Sequence, residues 1–280
     1  MYNKCVFDSP RKLFQKSWVA KLVVVFFVIL SVWWITIFLR GLKEGNENNL
    51  FTVIYPWVSL VGALWGFNIS RHWGGLKSLI GKTIFFLALG LLAQFFGQAA
   101  YTYYIYGLGI EVPYPSVGDI GYFGSVVCYI VAVVYLLRAV GARFSLRSYI
   151  GVAQAIILPL ILLIFSYAIF LREYMFDWSH PLKVLLDFGY PLGQALYVSI
   201  AILAYLLSRK YLGGLMRGPI LFLIFALVVQ YFCDYMFLYK VNQSSWYVGG
   251  TNDYLYLFSY VVMTLALGNM GSILDHIRSS

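Results

Sequence analysis

The sequence predicts an all-α, polytopic membrane protein with eight transmembrane helices as two tandem four-helix repeats and both termini in the cytoplasm. Three observations predict this fold class. Hydrophobic residues make up 61% of the chain and charged residues 11%, whereas soluble domains carry about 25% charged residues. Apolar runs long enough to cross a membrane recur along the whole chain. Polar motifs of the first half recur in the second half.

Eight apolar runs reach the length of about 20 residues that a helix needs to cross a hydrocarbon core of about 30 Å. They lie near residues 17–40, 50–70, 82–106, 119–138, 149–171, 183–208, 218–240 and 253–274. The first run is too long for a signal peptide, follows a basic leader and lacks a small-residue cleavage pattern. We therefore expect it to remain as span 1. The connections are short, and no soluble domain is expected.

Basic residues indicate the orientation of the spans. If the spans alternate in direction, fifteen Lys and Arg residues fall on the side of the termini and five on the other side. Short cytoplasmic connections carry such an excess, which places both termini in the cytoplasm of a multi-pass protein in the cell membrane. The net charge of +9 is then explained by contact with anionic headgroups, and no nucleic-acid partner is expected. Nine of the eleven acids fall on the outer side or at outer helix ends.

Polar motifs recur at a nearly constant separation of 135, 136 and 134 residues. Chance pairing of common residues rarely gives such agreement. The pairs are Tyr55-Pro56 with Tyr190-Pro191, Gln94 and Gln98 with Gln230 and Asp234, and the D-x-x-Y-x-x-S patterns that begin at Asp119 and Asp253. The repeat predicts two units, residues 1–141 and 142–280. Because each has an even number of spans, an axis along the membrane normal would relate them.

Three acids of the outer half differ in what their positions predict. Asp119 and Asp253 begin spans 4 and 8, where the helix dipole stabilises an anion, and Ser116 predicts a capping box with Asp119. These two acids either serve as caps that fix loops or also contact a ligand. Asp234 lies inside span 7 and has no capping role. A carboxylate there normally faces the bundle interior, which favours a functional role.

Helical spacing brings further polar residues onto common faces, because residues four apart lie on one side of a helix. Together with the acids, they predict a polar pocket between the two halves that binds a cation, an amine or a polar small molecule from outside. The predicted ligand-binding residues are Gln94, Gln98, Asp119, Tyr122, Asp187, Gln230, Asp234, Asp253 and Tyr256. Scattered His and Cys residues predict no metal site, and the sequence specifies no cofactor.

The segment 107–129 contains Pro113-Tyr114-Pro115-Ser116-Val-Gly-Asp119-Ile-Gly-Tyr122-Phe. It resembles the multi-span membrane sensor domains at the N-termini of bacterial diguanylate cyclases and some histidine kinases. In that family a helix ends in aromatic residues, a Pro/Ser-containing outer loop follows, and an Asp opens the next helix with a Tyr one turn later. The resemblance covers residues 90–135 and implies a sensor of something outside or within the bilayer.

No cyclase or kinase domain follows Ser280, so we expect either a stand-alone relative that signals through a partner or a chain that stops before its output module. The leading interpretation is a sensor-like or ligand-binding membrane protein in which binding changes the packing of the last helix. One alternative is a small transporter or channel that uses the outer carboxylates for a cation or proton. Another is a structural subunit without a ligand, whose aspartates would all be capped or paired.

Enzyme signatures are absent from the sequence: it has no Gly-rich phosphate loop, no HExxH motif and no Ser, His and Asp at one depth. No enzyme is therefore predicted. The expected partners are the lipid bilayer, a small molecule or cation from outside, and either a separate signalling protein or a second copy of the chain.

Overall fold

The computed structural model describes residues 17–43, 45–140, 149–172, 174–208 and 216–279, with side chains up to Asp275. These residues form helices and no strands. The helices are α1 (Trp18–Leu39), α2 (Asn46–Ile54), α3 (Trp57–His72), α4 (Leu79–Thr102), α5 (Val117–Ala139), α6 (Tyr149–Ser166), α7 (Pro181–Ser208), α8 (Arg217–Asn242) and α9 (Thr251–Ser279). A 3-10 turn (Gly75–Lys77) follows α3, and π-helical turns extend α4 (Tyr103–Gly107) and α6 (Tyr167–Leu171).

In the described part of the chain, eight helical stretches are long and apolar enough to cross a membrane, as predicted, with α2 and α3 forming one of them. The largest difference from the predicted boundaries is at this stretch, which begins at Asn46 instead of near residue 50. The polar sequence of its first turn suggested a loop. The side chain of Asn48 is nevertheless buried, and its Nδ2 donates to the carbonyls of Leu42 and Val248, each at 3.2 Å.

The two Tyr-Pro pairs have different backbone structures. Tyr55 and Pro56 separate α2 from α3, whereas Pro191 lies inside the continuous helix α7. Proline removes one backbone donor and can interrupt a helix. At the first pair the hydroxyl of Ser59 donates to the Pro56 carbonyl at 2.7 Å, which satisfies an acceptor at the break.

Six helices form a closed ring in the order α3, α4, α5, α7, α8 and α9, in which α9 also packs against α3. Two helices lie outside this ring, α1 against α9 and α6 against α7. Of the 18 most apolar consecutive residues in each span, 72% are buried in α9, compared with 22% in α1 and 11% in α6. Helix α9 is therefore the most enclosed of the three.

The connections 40–43, 108–116, 174–180 and 243–250 lie at one end of the bundle, called the upper end below. Tyr114 of one connection, for example, meets Asp187 near the start of α7 there, with a hydroxyl-to-carboxylate distance of 2.6 Å. At the opposite, lower end, Trp73 Nε1 donates to the Met270 carbonyl at 3.0 Å and joins α9 to the connection between α3 and α4. Segments 1–16, 141–148 and 209–215, which carry many of the predicted cytoplasmic basic residues and the boundary between the predicted units, lie outside the described residues.

Helices α4 and α5 approach each other backbone to backbone. A Cβ atom on Gly121 would lie 2.4 Å from the Ala93 carbonyl oxygen and 2.5 Å from the Gly97 nitrogen. Such distances are too short for any side chain, so this crossing requires glycine. The close approach holds the upper halves of α4 and α5 in a fixed relation.

Candidate functional site

Asp119 forms the predicted capping box at the start of α5. The Ser116 backbone nitrogen donates to Asp119 Oδ2 at 2.7 Å, and both halves of the box are present. The other carboxylate oxygen, Oδ1, accepts a hydrogen bond from the Tyr190 hydroxyl at 2.7 Å. Asp119 therefore caps its own helix and also binds α7 of the second half.

Asp253 has the corresponding position at the start of α9. Its Oδ2 accepts from the Gly249 nitrogen at 2.6 Å, and its Oδ1 lies 3.4 Å from the Tyr55 hydroxyl, which donates to it. Gly249 has φ +70°, and a Cβ atom there would lie 2.8 Å from the Asn48 backbone. The loop whose backbone nitrogen binds Asp253 therefore needs glycine at this position. Asp119 and Asp253 thus each bind their own loop and a tyrosine from the other half of the sequence.

The glutamines that correspond in the repeat also bind corresponding serines. Gln94 Nε2 donates to the Ser125 hydroxyl at 2.8 Å, and the Ser259 hydroxyl donates to Gln230 Oε1 at 2.6 Å. In addition, the Tyr260 hydroxyl donates to Gln94 Oε1 at 3.1 Å and joins α9 to α4. These side chains are buried, and they form a polar layer between the halves.

A third pair of bonds joins the tyrosines of the D-x-x-Y-x-x-S patterns to α4 and α8. The Tyr122 hydroxyl donates to Gln98 Oε1 at 2.8 Å, and the Tyr256 hydroxyl donates to Asp234 Oδ1 at 3.1 Å. The geometry is similar, but the acceptor is a neutral amide in the first half and a carboxyl group in the second. The acceptor is therefore an ionisable group only on the second-half side of this pair.

Asp234 receives all of its described hydrogen bonds from neutral groups. Besides Tyr256, Gln230 Nε2 donates to Oδ1 at 2.9 Å and the Tyr197 hydroxyl donates to Oδ2 at 3.2 Å. Only 4% of the Asp234 surface is exposed. Uncharged donors of this kind stabilise a buried carboxyl group without a counter-ion.

Neither buried acid has an ion-pair partner in the part of the chain that the structure describes. The ion pairs found there join Arg40 to Glu47 at 3.0 Å and His180 to Asp177 at 2.9 Å, both at the surface. Asp234 and Asp253 therefore lie in the bundle interior with hydroxyl, amide and backbone donors as their partners. Such residues in membrane helices are costly and are commonly functional.

Asp187 lies apart from this layer and binds two upper connections. It accepts from the Tyr114 hydroxyl at 2.6 Å and from the Tyr174 hydroxyl at 2.7 Å. Burial, and then the hydrogen bond to Asp187, raises the pKa of Tyr114 above its usual value. The same two causes raise the pKa of Tyr174 to about 12. Both tyrosines thus remain protonated donors to Asp187 around neutral pH, which fixes the loops.

Several residues of the layer were not among the predicted site residues. Tyr55 belonged to a repeated Tyr-Pro pair, and this repetition was the signal that could have placed it at the contact between the halves. Tyr197 and Tyr260 had no such signal, because Gly62 and Val126 occupy the corresponding positions in the first half. Their hydroxyls reach Asp234 and Gln94 only because of the ring arrangement.

A crevice opens at the upper end between α2, the end of α4 and the connection 243–250. Its lining includes Asn49, Thr52, Tyr101, Thr102 and Val248. Thr52 is buried, and its carbonyl oxygen lies 3.5 Å from Gln98 Nε2, so one residue of the lining also contacts the polar layer.

Comparison of the chain with protein-family models, with curated proteins and with solved structures finds no match. The resemblance to bacterial sensor domains therefore stays a prediction from residues 90–135. The polar layer is the feature of the molecule from which a function can be inferred.

Proposed function

We propose that the chain is a sensor-like membrane protein in which a ligand from the outer side acts on the polar layer between two four-helix units. The observation that carries this proposal is the reciprocal pair of bonds at the upper end. Tyr190 of the second half binds Asp119 of the first, and Tyr55 of the first half binds Asp253 of the second. A ligand that competes for one of these acids would change the contact between the halves.

The same bonds support a tandem repeat of units 1–141 and 142–280, since three sets of corresponding residues make corresponding contacts.

The uneven distribution of basic residues supports cytoplasmic termini in the cell membrane. A membrane-impermeant thiol reagent tests this orientation in intact cells, in a chain freed of its native cysteines. We expect Leu108→Cys at the upper end to react and Lys77→Cys at the lower end to react only after permeabilisation. The opposite pattern would contradict the proposed orientation.

Helix α9 is the element that would carry a change to the cytoplasmic side. It begins next to Asp253, contacts α4 through Tyr260, and contacts the lower connection through the Trp73–Met270 hydrogen bond. A packed helix transmits a shift of one end to the other, and shifts of about 1–2 Å are typical of helices at such interfaces. The upper contact of α9 is therefore connected with a lower contact along one continuous element.

Spin-label distances in the full-length protein test this connection. One label pair joins Lys77→Cys, in the turn before α4, to Asp275→Cys on α9. A control pair joins Lys77→Cys to Arg138→Cys on α5. All three positions are exposed. The native cysteines Cys5, Cys128 and Cys233 are replaced by serine or alanine. Removing both tyrosine hydroxyls with Tyr55→Phe and Tyr190→Phe should shift the α9 distance by about 1–2 Å.

The control distance should stay unchanged, because α4 and α5 are in backbone contact. A second control, Tyr239→Phe, removes a hydroxyl from a tyrosine that is 50% exposed and should change neither distance. If the double variant leaves the α9 distance unchanged, or moves both distances equally, the upper contacts are not coupled to the lower end and the proposal fails.

The position of the buried charge favours a sensor over the transporter or channel alternative. Among the described residues, the buried acidic and basic side chains are Asp234 and Asp253, and both lie in the upper part of the bundle. The buried polar residues of the lower part, such as Ser70, Thr83 and Thr264, are uncharged. A path for a cation or proton commonly needs ionisable groups along its depth, so a site open to one side is the better supported arrangement.

A further inference from the structure

The bonds around Asp253 are longer than those around Asp119. The residues concerned are Asp253, Tyr55, Gln98 and Thr52, called the Asp253 cluster below. The Tyr55 hydroxyl lies 3.4 Å from Asp253 Oδ1 and 3.5 Å from Gln98 Oε1, and Gln98 Nε2 lies 3.5 Å from the Thr52 carbonyl oxygen. All three distances exceed the usual range of about 2.7–3.2 Å.

The Tyr55 hydroxyl has one proton for two acceptors. When it donates to Gln98, Asp253 Oδ1 loses that donor, and when it donates to Asp253, its long bond is weak. Gln98 Oε1 already accepts from Tyr122 at 2.8 Å. The cluster therefore brings several oxygens together through long bonds, and its donors are the Tyr55, Tyr122 and Thr52 hydroxyls and the Gln98 amide. A contact of about 3.5 Å between buried polar groups often has a third group between them.

Residues adjacent to the cluster along the chain carry unpaired polar atoms. Asn252, next to Asp253, is 1% exposed, and both its amide nitrogen and its amide oxygen lack a hydrogen-bond partner. Asn48, one turn before Thr52, is also 1% exposed and has an unpaired Oδ1. Buried polar groups are nearly always paired with protein, water or a bound group. These two asparagines are an independent indication that the cluster takes up something from solution.

The crevice at the upper end provides access. Thr52 belongs both to its lining and to the Asp253 cluster. Asn49 and Thr102 also line it, so a small hydrophilic solute approaching from the upper side meets polar groups along the path.

The charge of the cluster indicates which solute fits. Its formal charge is one carboxylate, and the other oxygens belong to a hydroxyl, an amide and a backbone carbonyl. Lys240 keeps its positive charge within electrostatic range of Asp253, but its ammonium group donates to the Thr251 hydroxyl and not to the carboxylate. Asp234, the acid of α8, is supplied by its own donors. With one carboxylate in the cluster and a lysine near it, a monovalent ion adds less uncompensated charge to this low-dielectric region than a divalent ion, and such charge is costly.

We propose that the Asp253 cluster binds a small monovalent cation that enters through the crevice. This inference rests on the proposed function, because it names the class of ligand that acts on the contact between the halves. The cation would be held by Asp253 Oδ1 and neutral oxygens, an arrangement like the carbonyl oxygens that replace the water shell of K⁺ in channel filters. Its binding would free the Tyr55 hydroxyl from donating to Asp253 and draw α2, α4 and α9 together.

Thermal stability of the full-length protein in detergent tests the proposal at constant pH and ionic strength. NaCl and KCl are compared with the chloride of N-methylglucamine, a cation too bulky for the cluster. A ligand that binds the folded state raises the melting temperature by mass action. We expect Na⁺ or K⁺ to raise it in the wild type and in the control variant Asp177→Asn, which removes an exposed carboxylate at the upper end. In Asp253→Asn the half-saturating concentration should rise by at least about tenfold, which corresponds to about 1.4 kcal/mol.

A second variant keeps the test informative if Asp253→Asn fails to fold. Asn49→Phe places a bulky side chain in the crevice without removing a cluster oxygen. It should slow the cation-induced change in fluorescence of Trp34, whose Nε1 donates to the carbonyl of Gly249 at 3.0 Å. Unchanged kinetics in this variant would contradict access through the crevice.

The proposal is overturned if Na⁺ and K⁺ act no differently from N-methylglucamine, if Asp253→Asn keeps the full response, or if Asp177→Asn loses it equally. A response to pH without a response to Na⁺ or K⁺ would show a proton site instead and would also overturn it. The proposed function is tested by a different measurement and can hold or fail whether or not a cation binds. The α9 distance change on removal of the two tyrosine hydroxyls needs no cation, so it would persist even if no cation binds.

Discussion

Helices α4 and α5 of the first half and helices α8 and α9 of the second half cross at corresponding positions with different contacts. In the first crossing, Gly97 and Gly121 bring two backbones together, with 2.5 Å between the Gly97 nitrogen and a Cβ placed on Gly121. Cys233 and Leu255 occupy these positions in the second half, and Cys233 Sγ donates to the Leu255 carbonyl at 3.2 Å. Side chains therefore separate α8 from α9, where glycines bring α4 and α5 into contact.

The tyrosine contacts of the two halves differ in the same direction. The bond from Tyr190 to Asp119, on α5, is 2.7 Å long, whereas that from Tyr55 to Asp253, on α9, is 3.4 Å long. Two helices with the same sequence motif thus differ in how tightly they are held. We infer that α5 is the fixed reference of the bundle and α9 the element whose position can respond to a ligand.

The largest expected effect comes from breaking the glycine crossing. Gly121→Ala places a methyl group against backbone atoms that cannot move independently, so it should lower the free energy of unfolding by about 3 kcal/mol. Gly124→Ala on the same helix is the matched control, because nothing lies within 4 Å of a Cβ there. It should be neutral or stabilising by up to about 1 kcal/mol through helix propensity.

Unfolding of both variants by a denaturing detergent in mixed micelles measures the difference. Equal stability of Gly121→Ala and Gly124→Ala would mean that α4 and α5 do not cross at this glycine. The contrast between a fixed and a responsive half would then lose its basis.

A smaller effect should distinguish the charged from the neutral side of the polar layer. Tyr256→Phe removes a donor to the Asp234 carboxyl group, and Tyr122→Phe removes the corresponding donor to the Gln98 amide. Hydrogen bonds to charged groups contribute about 1.5–3 kcal/mol, and those between neutral groups about 0.5–1.5 kcal/mol. Tyr256→Phe should therefore destabilise more by about 1 kcal/mol in the same unfolding assay. A larger loss in Tyr122→Phe would show that Asp234 is held in an uncharged state.

The spans and the capping box could be predicted from the sequence because they depend on local properties. Apolar length determines a span, and the interval between Ser116 and Asp119 brings both into the first turn of α5. The predicted start of the second span was wrong, because Asn48 is buried in α2 with its amide bound to the carbonyl of the nearby Leu42 and to that of Val248, which is 200 residues away. Partners that are remote in sequence give no local signal.

Within the site, the repeat was the strongest sequence signal. It paired Gln94 with Gln230, and the structure gives each of them a serine partner from the D-x-x-Y-x-x-S pattern. It could not show that Pro56 interrupts a helix whereas Pro191 does not. Nor could it show that Asp187 joins the adjacent connection, through Tyr174, to that of Tyr114, which is 73 residues away.

A further prediction compares the two tyrosine contacts directly. Tyr190→Phe removes a short bond to a carboxylate and should lower the free energy of unfolding by about 1.5 kcal/mol. Tyr55→Phe removes a long, shared bond and should cost about 0.5 kcal/mol or less when the medium contains only N-methylglucamine. Differential scanning fluorimetry of both variants measures the contrast. Equal losses would indicate that the difference between 2.7 and 3.4 Å has no energetic counterpart.

The smallest expected effect concerns two ion pairs at the surface of the upper end, Arg40 with Glu47 in the first half and His180 with Asp177 in the second. Arg40 binds both carboxylate oxygens of Glu47, at 3.0 and 3.2 Å, whereas Asp177 is held within its own connection. The hydrogen bond from the Ser179 hydroxyl, followed by that from the His180 ring, lowers the pKa of Asp177 to about 2. A lowered carboxyl pKa means that the contact contributes fully above the usual value of about 3.9 and is lost as the pH falls towards 2.

Ser179→Ala should therefore move the midpoint of Asp177 upward, towards the usual value of about 3.9, and the loop contact should be lost at a higher pH. Carboxyl-carbon NMR of protein labelled at aspartate measures this midpoint, with Asp177→Asn used for assignment. A midpoint that stays near 2 in Ser179→Ala would assign the effect to the His180 ring and to the Ser179 backbone nitrogen, which also donates to Asp177. The Ser179 hydroxyl would then be unnecessary for the contact.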